Sequence, residues 1–135
     1  MLPGALDLSF ASTLAVMDGV TESIQRFLDA HVPDEDLAFR ISLVASEAIT
    51  NAIEHGNRLD ATKSAHFRIR TTADEARVEV EDEGPGFDPD AVPHPLREGP
   101  LLAEGGRGLF LMRHLADVVE FEREGRCCLL VLRPR

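Results

Sequence analysis

The stretch "SEAITNAIEHGN", residues 46 to 57, carries Glu47, Asn51 and His55 at steps of four. On a helix this spacing places the three polar side chains along roughly one stripe. Beside the stripe runs an apolar series at steps of three and four, formed by Leu37, Ile41, Val44, Ala48 and Ala52. Such a series predicts the face of a helix that packs on a core. The polar stripe therefore borders something that is buried or bound.

Composition predicts one globular domain that covers residues 1–135. The chain has 44% apolar and 28% charged residues, and 135 residues are enough for one core but not for two. A formal net charge of −10 argues against binding to nucleic acid through the phosphate backbone. No window reaches the roughly 18 apolar residues of a membrane span, and the first ten residues do not resemble a signal peptide. We therefore expect a cytoplasmic protein without a membrane segment.

Residue periodicity predicts the element order β-α-α-β-β-α-β-β. Strands are expected at residues 5–10, 65–72, 76–82, 118–124 and 127–134, where apolar residues alternate or form a short run. This order predicts an α+β fold with two layers, in which helices cover one face of a mixed, largely antiparallel sheet. The adjacent Cys127 and Cys128 lie in the last run and are expected to be small buried residues rather than a disulfide.

The helix boundaries are predicted from capping residues. Ser12 is the expected N-cap of the first helix, which ends before Pro33. Asp34 or Asp36 opens the second helix, which is expected to end near residues 56 and 57 with a left-handed C-cap. The third helix resumes apolar spacing at Leu109.

Two glycine-rich motifs flank a proline-rich segment that is weakly periodic. "DEGPGF", residues 82–87, begins with Asp82, which ends the inward-facing row of a predicted strand. "EGGRGLFLM", residues 104–112, leads into a helix N-terminus, which is suited to phosphate. Neither motif fits the Walker or the Rossmann pattern. Residues 88–104 between them are predicted to form a mobile lid that nucleotide orders.

In this order, "EAITNAIEHG", "DEGPGF" and "GGRGLFLM" resemble the N box and the two glycine boxes of the GHKL ATPase superfamily. Within this superfamily, the short chain and the residues of the three boxes most resemble those of the anti-sigma-factor serine/threonine kinases of the RsbW and SpoIIAB type. The resemblance spans nearly the whole chain. It implies the Bergerat-type ATP-binding fold, with ATP and magnesium as cofactors.

The resemblance also implies a role for each matching residue. Asn51 would coordinate magnesium, Asp82 would accept a hydrogen bond from the adenine amino group, and Glu47 would be the catalytic general base. His55 either belongs to the site or caps helix carbonyls, and Arg107 is either a charge at the phosphates or an exposed lid residue. The implied nucleotide-binding set is Asn51, Asp82, Gly84, Gly86, Gly105, Gly106, Arg107, Gly108 and Leu109.

The function that the resemblance implies is phosphoryl transfer from ATP to a serine or threonine. The implied partners are an anti-anti-sigma factor of the STAS type and a sigma factor, and a homodimer is expected. One alternative is a module that binds ATP and sequesters a partner without kinase activity. Another is a detached histidine kinase catalytic domain, which the absence of a phospho-accepting helical hairpin before the first strand disfavours.

Overall fold

Five strands form one antiparallel sheet in the computed structural model, which describes residues 1–86, 88 and 106–135. The strands are β1 (Gly4–Ala11), β2 (Ser64–Thr71), β3 (Ala76–Glu81), β4 (Val118–Glu122) and β5 (Cys127–Leu132). Their order across the sheet is β1-β2-β3-β5-β4, and each neighbouring pair is antiparallel. The expectation of a mixed sheet is therefore wrong for the described strands. β3 and β4 run in the same direction, but β5 lies between them.

Three α-helices complete the described part of the chain. They are α1 (Met17–His31), α2 (Glu35–Thr50) and α3 (Gly106–Leu115). A 3-10 turn precedes α1 at Leu14–Val16, a second one joins β4 to β5 at Arg123–Gly125, and a π-helical segment continues α2 over Asn51–Gly56. The order β-α-α-β-β-α-β-β and the two-layer α+β class are confirmed.

The core lies between the inner face of the sheet and the helices. All five members of the apolar series on α2 and its extension are at most 3% exposed, which confirms the predicted packing face. Alternate residues of β2 and β3 meet this face and are buried, for example Phe67, Ile69 and Val78. Cys127 and Cys128 are free and buried as expected, and burial raises the pKa of the Cys128 thiol to about 12.

Ser12 is not the N-cap of the first helix. The first turn begins as a 3-10 helix after Thr13, whose side chain makes no capping bond. Ser12 is instead fully buried, and its Oγ accepts a hydrogen bond from Asn57 Nδ2 at 2.7 Å. Ser12 thus bonds to a buried residue that is distant in sequence and does not cap the helix that follows it.

Helix α2 begins as predicted but ends differently. Asp34 is its N-cap and accepts a hydrogen bond from the Leu37 amide at 3.0 Å. The expected left-handed C-cap at residues 56 and 57 is wrong, because Asn57 has a φ of −87° and its amide donates to the Ala52 carbonyl at 2.8 Å. Positive φ values occur only after it, at Arg58 and Leu59. The helix therefore widens to the π form before it stops.

Arg40 is a buried charged residue that links helix α2 to the C-terminal end of helix α3. Only 2% exposed, it donates to Asp36 Oδ2 at 2.9 Å, to the Leu115 carbonyl at 3.3 Å and to the Arg133 carbonyl at 2.7 Å. Leu115 is the last residue of α3, where free carbonyls favour a cation. Arg40 thereby ties α2 to the end of α3 and to the chain after β5.

We expect Arg40→Ala to lower the free energy of unfolding by about 3 kcal/mol, because it removes the partner of two partly buried carbonyls and opens a cavity where a buried side chain was. The measurement is urea denaturation at neutral pH. Arg26→Ala is the matched control, since Arg26 is exposed and, among the described residues, pairs only with Glu22 on the same helix. Equal stability of the two variants would show that the hydrogen bonds of Arg40 contribute nothing.

Candidate functional site

The polar stripe of α2 lies directly against the first turn of α3. A Cβ atom at Gly108 would be 2.7 Å from Glu47 Oε2, 3.5 Å from Asn51 Nδ2 and 3.7 Å from Asn51 Oδ1. The approach to Glu47 is shorter than carbon contacts allow, so a side chain at position 108 would displace the Glu47 carboxylate, whereas the distances to Asn51 are those of ordinary contacts. Glycine at position 108 therefore leaves room for Glu47 where the second glycine motif and the polar stripe form one wall.

This wall combines oxygen ligands with a helix N-terminus. Glu47 and Asn51 are half-buried, and no other residue in the described part of the chain hydrogen-bonds to their side chains. Gly106 is the first residue of the ten-residue helix α3, so the free amides and the positive dipole end of that helix lie beside them. Carboxylate and amide oxygens are suitable magnesium ligands, and helix amides suit phosphate. These oxygen ligands and helix amides therefore fit a magnesium–nucleotide complex.

Asp82 lies where the π-helical end of α2 meets the chain after β3. Its half-buried carboxylate contacts the Cα side of Gly56, where any side chain would collide with it. The Gly84 amide donates to Asp82 Oδ1 at 2.8 Å. A Cβ atom on Gly84 would in turn collide with the Gly56 carbonyl. The first glycine motif and the end of the polar stripe thus enclose one carboxylate.

The environment of Asp82 shifts the pKa of its carboxyl group upward. Burial raises the pKa of Asp82, while the Gly84 amide and the Arg126 guanidinium act in the opposite direction. Arg126 also holds the backbone here, because its Nε donates to the Gly84 carbonyl at 2.6 Å and its own carbonyl accepts from the Asp82 amide at 3.0 Å. A partly desolvated carboxylate such as Asp82 binds a ligand group that donates a hydrogen bond much better than one that can only accept.

The remaining predicted residues lie around the wall formed by Glu47 and Asn51 and around the Asp82 carboxylate. Gly86 has a φ of 82° and lies against the Glu124 carbonyl, so only glycine fits there. Arg107 is the second residue of α3, and Leu109 is 5% exposed within the core, which leaves its backbone rather than its side chain for a ligand. Gly105 and the expected lid lie outside the described residues, except for Asp88, which is exposed.

Sequence reasoning missed two residues of the site, Asn57 and Arg126. The Asn57 side chain bonds to Ser12, Ser64 and Glu83, which lie 45, 7 and 26 positions away in the sequence. Arg126 is 42 positions from the glycine that it contacts. No local pattern distinguishes either residue from a turn residue. Only the position of Asn57 directly after "EHG" could have drawn attention to it.

Together, the helix end, the strand end and the N-terminus of α3 define an ATP-binding domain of the GHKL class. Residues 10–133 match the family model described as "Histidine kinase-like ATPase domain", and the chain belongs to this family. The family uses ATP, which agrees with the polar groups of Glu47, Asn51 and Asp82 in this site.

The curated relatives are bacterial kinases and anti-sigma factors. The chain is 33% identical over 89 residues to the serine/threonine-protein kinase BtrW of Bordetella bronchiseptica, with 64% of this chain and 63% of the relative covered. It is 36% identical over 90 residues to the serine-protein kinase RsbW of Bacillus subtilis, covering 61% and 55%. The chain thus spans less than two thirds of the length of these two relatives. The anti-sigma F factor of Oceanobacillus iheyensis is 29% identical over 117 residues, covering 85% and 80%.

A solved structure supports the fold. The crystal structure of the RsbU and RsbW domains of a Mycobacterium tuberculosis protein matches with a TM-score of 0.62 and 17% identity, over 98% of this chain and 32% of the other. At this identity the likeness concerns the fold alone. In the described part of the chain, no helix has the length and apolar content that crossing a membrane requires.

We expect Asp82→Asn to stabilise the fold relative to the wild type as the pH rises. Because the folded-state pKa of Asp82 is raised, the wild type loses stability between the ordinary aspartate pKa and the raised value, whereas asparagine does not titrate. Urea denaturation from pH 3 to pH 8 measures the difference. Asp74→Asn, in an exposed turn, controls for the loss of one negative charge. A stability difference that stays constant with pH would contradict the raised pKa.

Proposed function

We propose that this chain is an ATP- and magnesium-dependent protein serine/threonine kinase that acts as an anti-sigma factor. The observation that carries the proposal is the close approach of Gly108 to Glu47 and Asn51, whose side chains would lie 2.7 and 3.5 Å from a Cβ atom added at Gly108. This approach brings together a helix N-terminus, an oxygen ligand for a metal ion and a carboxylate that has no hydrogen-bond partner among the described residues. Phosphoryl transfer needs mainly such positioning and charge neutralisation.

Recognition of adenine is assigned to Asp82. Its carboxylate accepts a hydrogen bond from the exocyclic amine of adenine, whereas guanine would present a carbonyl oxygen and be repelled. Gly56 and Gly84 pack without side chains against this carboxylate, which leaves it half-buried at the end of the helical segment. Gly86 continues the same backbone segment without a side chain.

The phosphates are assigned to the first turn of α3. The amides of Gly106, Arg107, Gly108 and Leu109 are at the unpaired end of the helix, and the preceding Gly105 extends this segment in the sequence. The Asn51 side-chain oxygen is the proposed magnesium ligand from the protein. Magnesium, when bound, neutralises charge on the phosphates.

Glu47 is the proposed general base. It lies one helical turn before Asn51, and its carboxylate is close enough to Gly108 to face a phosphate held by that turn. It would accept the proton of a serine or threonine hydroxyl as the hydroxyl oxygen bonds to the γ-phosphorus and the bond from that phosphorus to the bridging oxygen breaks, which releases ADP. A module that only bound ATP would have no need of a free carboxylate at this position.

The proposed protein substrate is an anti-anti-sigma factor of the STAS type, and the proposed second partner is a sigma factor. The names of the relatives support this, since they include serine kinases and an anti-sigma F factor. We further propose a cytoplasmic location and a homodimer. Light scattering with and without ATP tests the dimer.

Two substitutions one helical turn apart separate binding from chemistry. Asn51→Ala should weaken magnesium-dependent ATP binding itself, because the phosphates lose a metal ligand. Glu47→Gln keeps the shape of the side chain but loses its basicity. It should leave ATP affinity within a few-fold and slow phosphoryl transfer by about a hundredfold or more. Calorimetry measures binding, and labelled ATP with purified STAS-domain proteins measures transfer.

Glu54→Gln is the matched control, because it makes the same chemical change on the π-helical segment away from Gly108. A Glu47→Gln rate near that of the wild type would remove the general-base role. ATP binding without transfer to any STAS protein would favour the sequestering module, and transfer to a histidine would favour the histidine kinase alternative.

A further inference from the structure

A closed ring of hydrogen bonds joins the end of the π-helical segment to the first glycine motif. Asn57 is 1% exposed, and its Oδ1 accepts from the Glu83 amide at 2.8 Å. Its Nδ2 donates to the Ser64 carbonyl at 2.9 Å and to Ser12 Oγ at 2.7 Å. The ring closes because the Ser64 amide donates to Glu83 Oε2 at 2.5 Å. Asn57, Ser64 and Glu83 are thus each bonded to the other two.

The chemistry of the ring requires an amide at position 57. The Glu83 backbone N–H can only donate and the Ser64 carbonyl can only accept, so the orientation of the Asn57 amide is fixed. An aspartate would lack both donors, and a leucine of similar size would remove the partner that the Glu83 amide, the Ser64 carbonyl and the Ser12 hydroxyl share. These partners account for the burial of a polar residue at the end of a helix.

The ring lies beside the proposed adenine contact without being part of it. Glu83 is the residue between Asp82 and Gly84, and Asn57 follows Gly56, which touches both of those residues. Between Gly56 and Gly84 no side chains interlock, because neither residue has one. The bond from Asn57 to the Glu83 amide is a directional link between the helix end and the residue next to Asp82.

We propose that Asn57 is a positioning residue for base recognition, which holds Asp82 in place through the Glu83 amide. This inference rests on the proposed role of Asp82 with adenine. A hydrogen bond weakens steeply when its geometry shifts, so a small displacement of Asp82 costs its contact with the base. The phosphate wall at Glu47, Asn51 and Gly108 does not involve the ring. Loss of Asn57 should therefore affect selectivity between bases more than affinity for the triphosphate.

The test compares ATP with inosine triphosphate, which carries a carbonyl oxygen in place of the adenine amine. We expect the wild type to prefer ATP and Asn57→Ala to reduce this preference about tenfold, with affinity for inosine triphosphate changed less than about threefold. Calorimetry with magnesium measures both affinities. Ser12→Ala is the matched control, because it removes one hydrogen bond of the same amide while the bond to Glu83 remains. It should lower stability and keep the preference.

The outcomes distinguish the proposed adenine role of Asp82 from the positioning role of Asn57. A wild type that binds both nucleotides equally would remove the adenine role of Asp82 and, with it, this inference. A wild-type preference that Asn57→Ala retains, despite lower stability, would show that Asn57 is only structural and would leave the proposed function intact.

A second measurement needs no variant and so does not depend on the stability of Asn57→Ala. If the Asn57–Glu83 bond positions Asp82, adenine binding must in turn stabilise that bond, since coupling is reciprocal. Hydrogen exchange at the Glu83 amide should therefore be about tenfold slower with saturating ATP than with saturating inosine triphosphate. Equal protection by the two nucleotides would overturn the inference.

Discussion

The candidate site depends on one close approach, in which the carbonyl of Gly56 lies against the backbone of Gly84. A side chain at Gly84 would push the end of the helical segment away from the chain after β3, and one at Gly56 would displace the Asp82 carboxylate. The half-enclosed position of that carboxylate therefore requires both glycines. At Gly108 an added side chain would instead meet the end of the Glu47 side chain, so glycine there leaves room for the Glu47 carboxylate. The site is thus built on positions without side chains, and the functional side chains occupy the space that remains.

Such a construction suits a strongly acidic protein. With a net charge of −10, the chain as a whole repels a triphosphate. Backbone amides and a helix N-terminus supply local positive potential without adding a cluster of cations. Arg126, the described cation that most lowers the pKa of Asp82, is itself bonded to the Gly84 carbonyl. In the proposed function, attraction of the nucleotide would therefore depend on oriented dipoles and on a metal ion rather than on net charge.

The sequence predicted the parts of the fold that rest on local periodicity. Alternation located β2 and β3 and placed Val78, Val80 and Asp82 on the inward side, and helical spacing identified the packing face of α2. The predictions that failed concerned residues whose partners are distant in sequence. Ser12 and Asn57 look like capping residues, but each satisfies the other in the interior. Local propensity contains no information about such a pair.

The π-helical segment also limits how the length of this region can vary. A π turn accommodates one residue more than an α turn over the same rise, so Asn51–Gly56 holds a surplus residue within the helix. Deleting one residue between Asn51 and Asn57 would restore α-helical winding, so Asn57 would keep its direction. Inserting one residue has no such compensation, because all later positions would rotate by about 100° around the axis. Asn57 would then leave its place between Ser12, Ser64 and Glu83, which would lose their common partner. In homologous chains that keep this ring, we therefore expect this segment to be of equal length or one residue shorter, but not one residue longer.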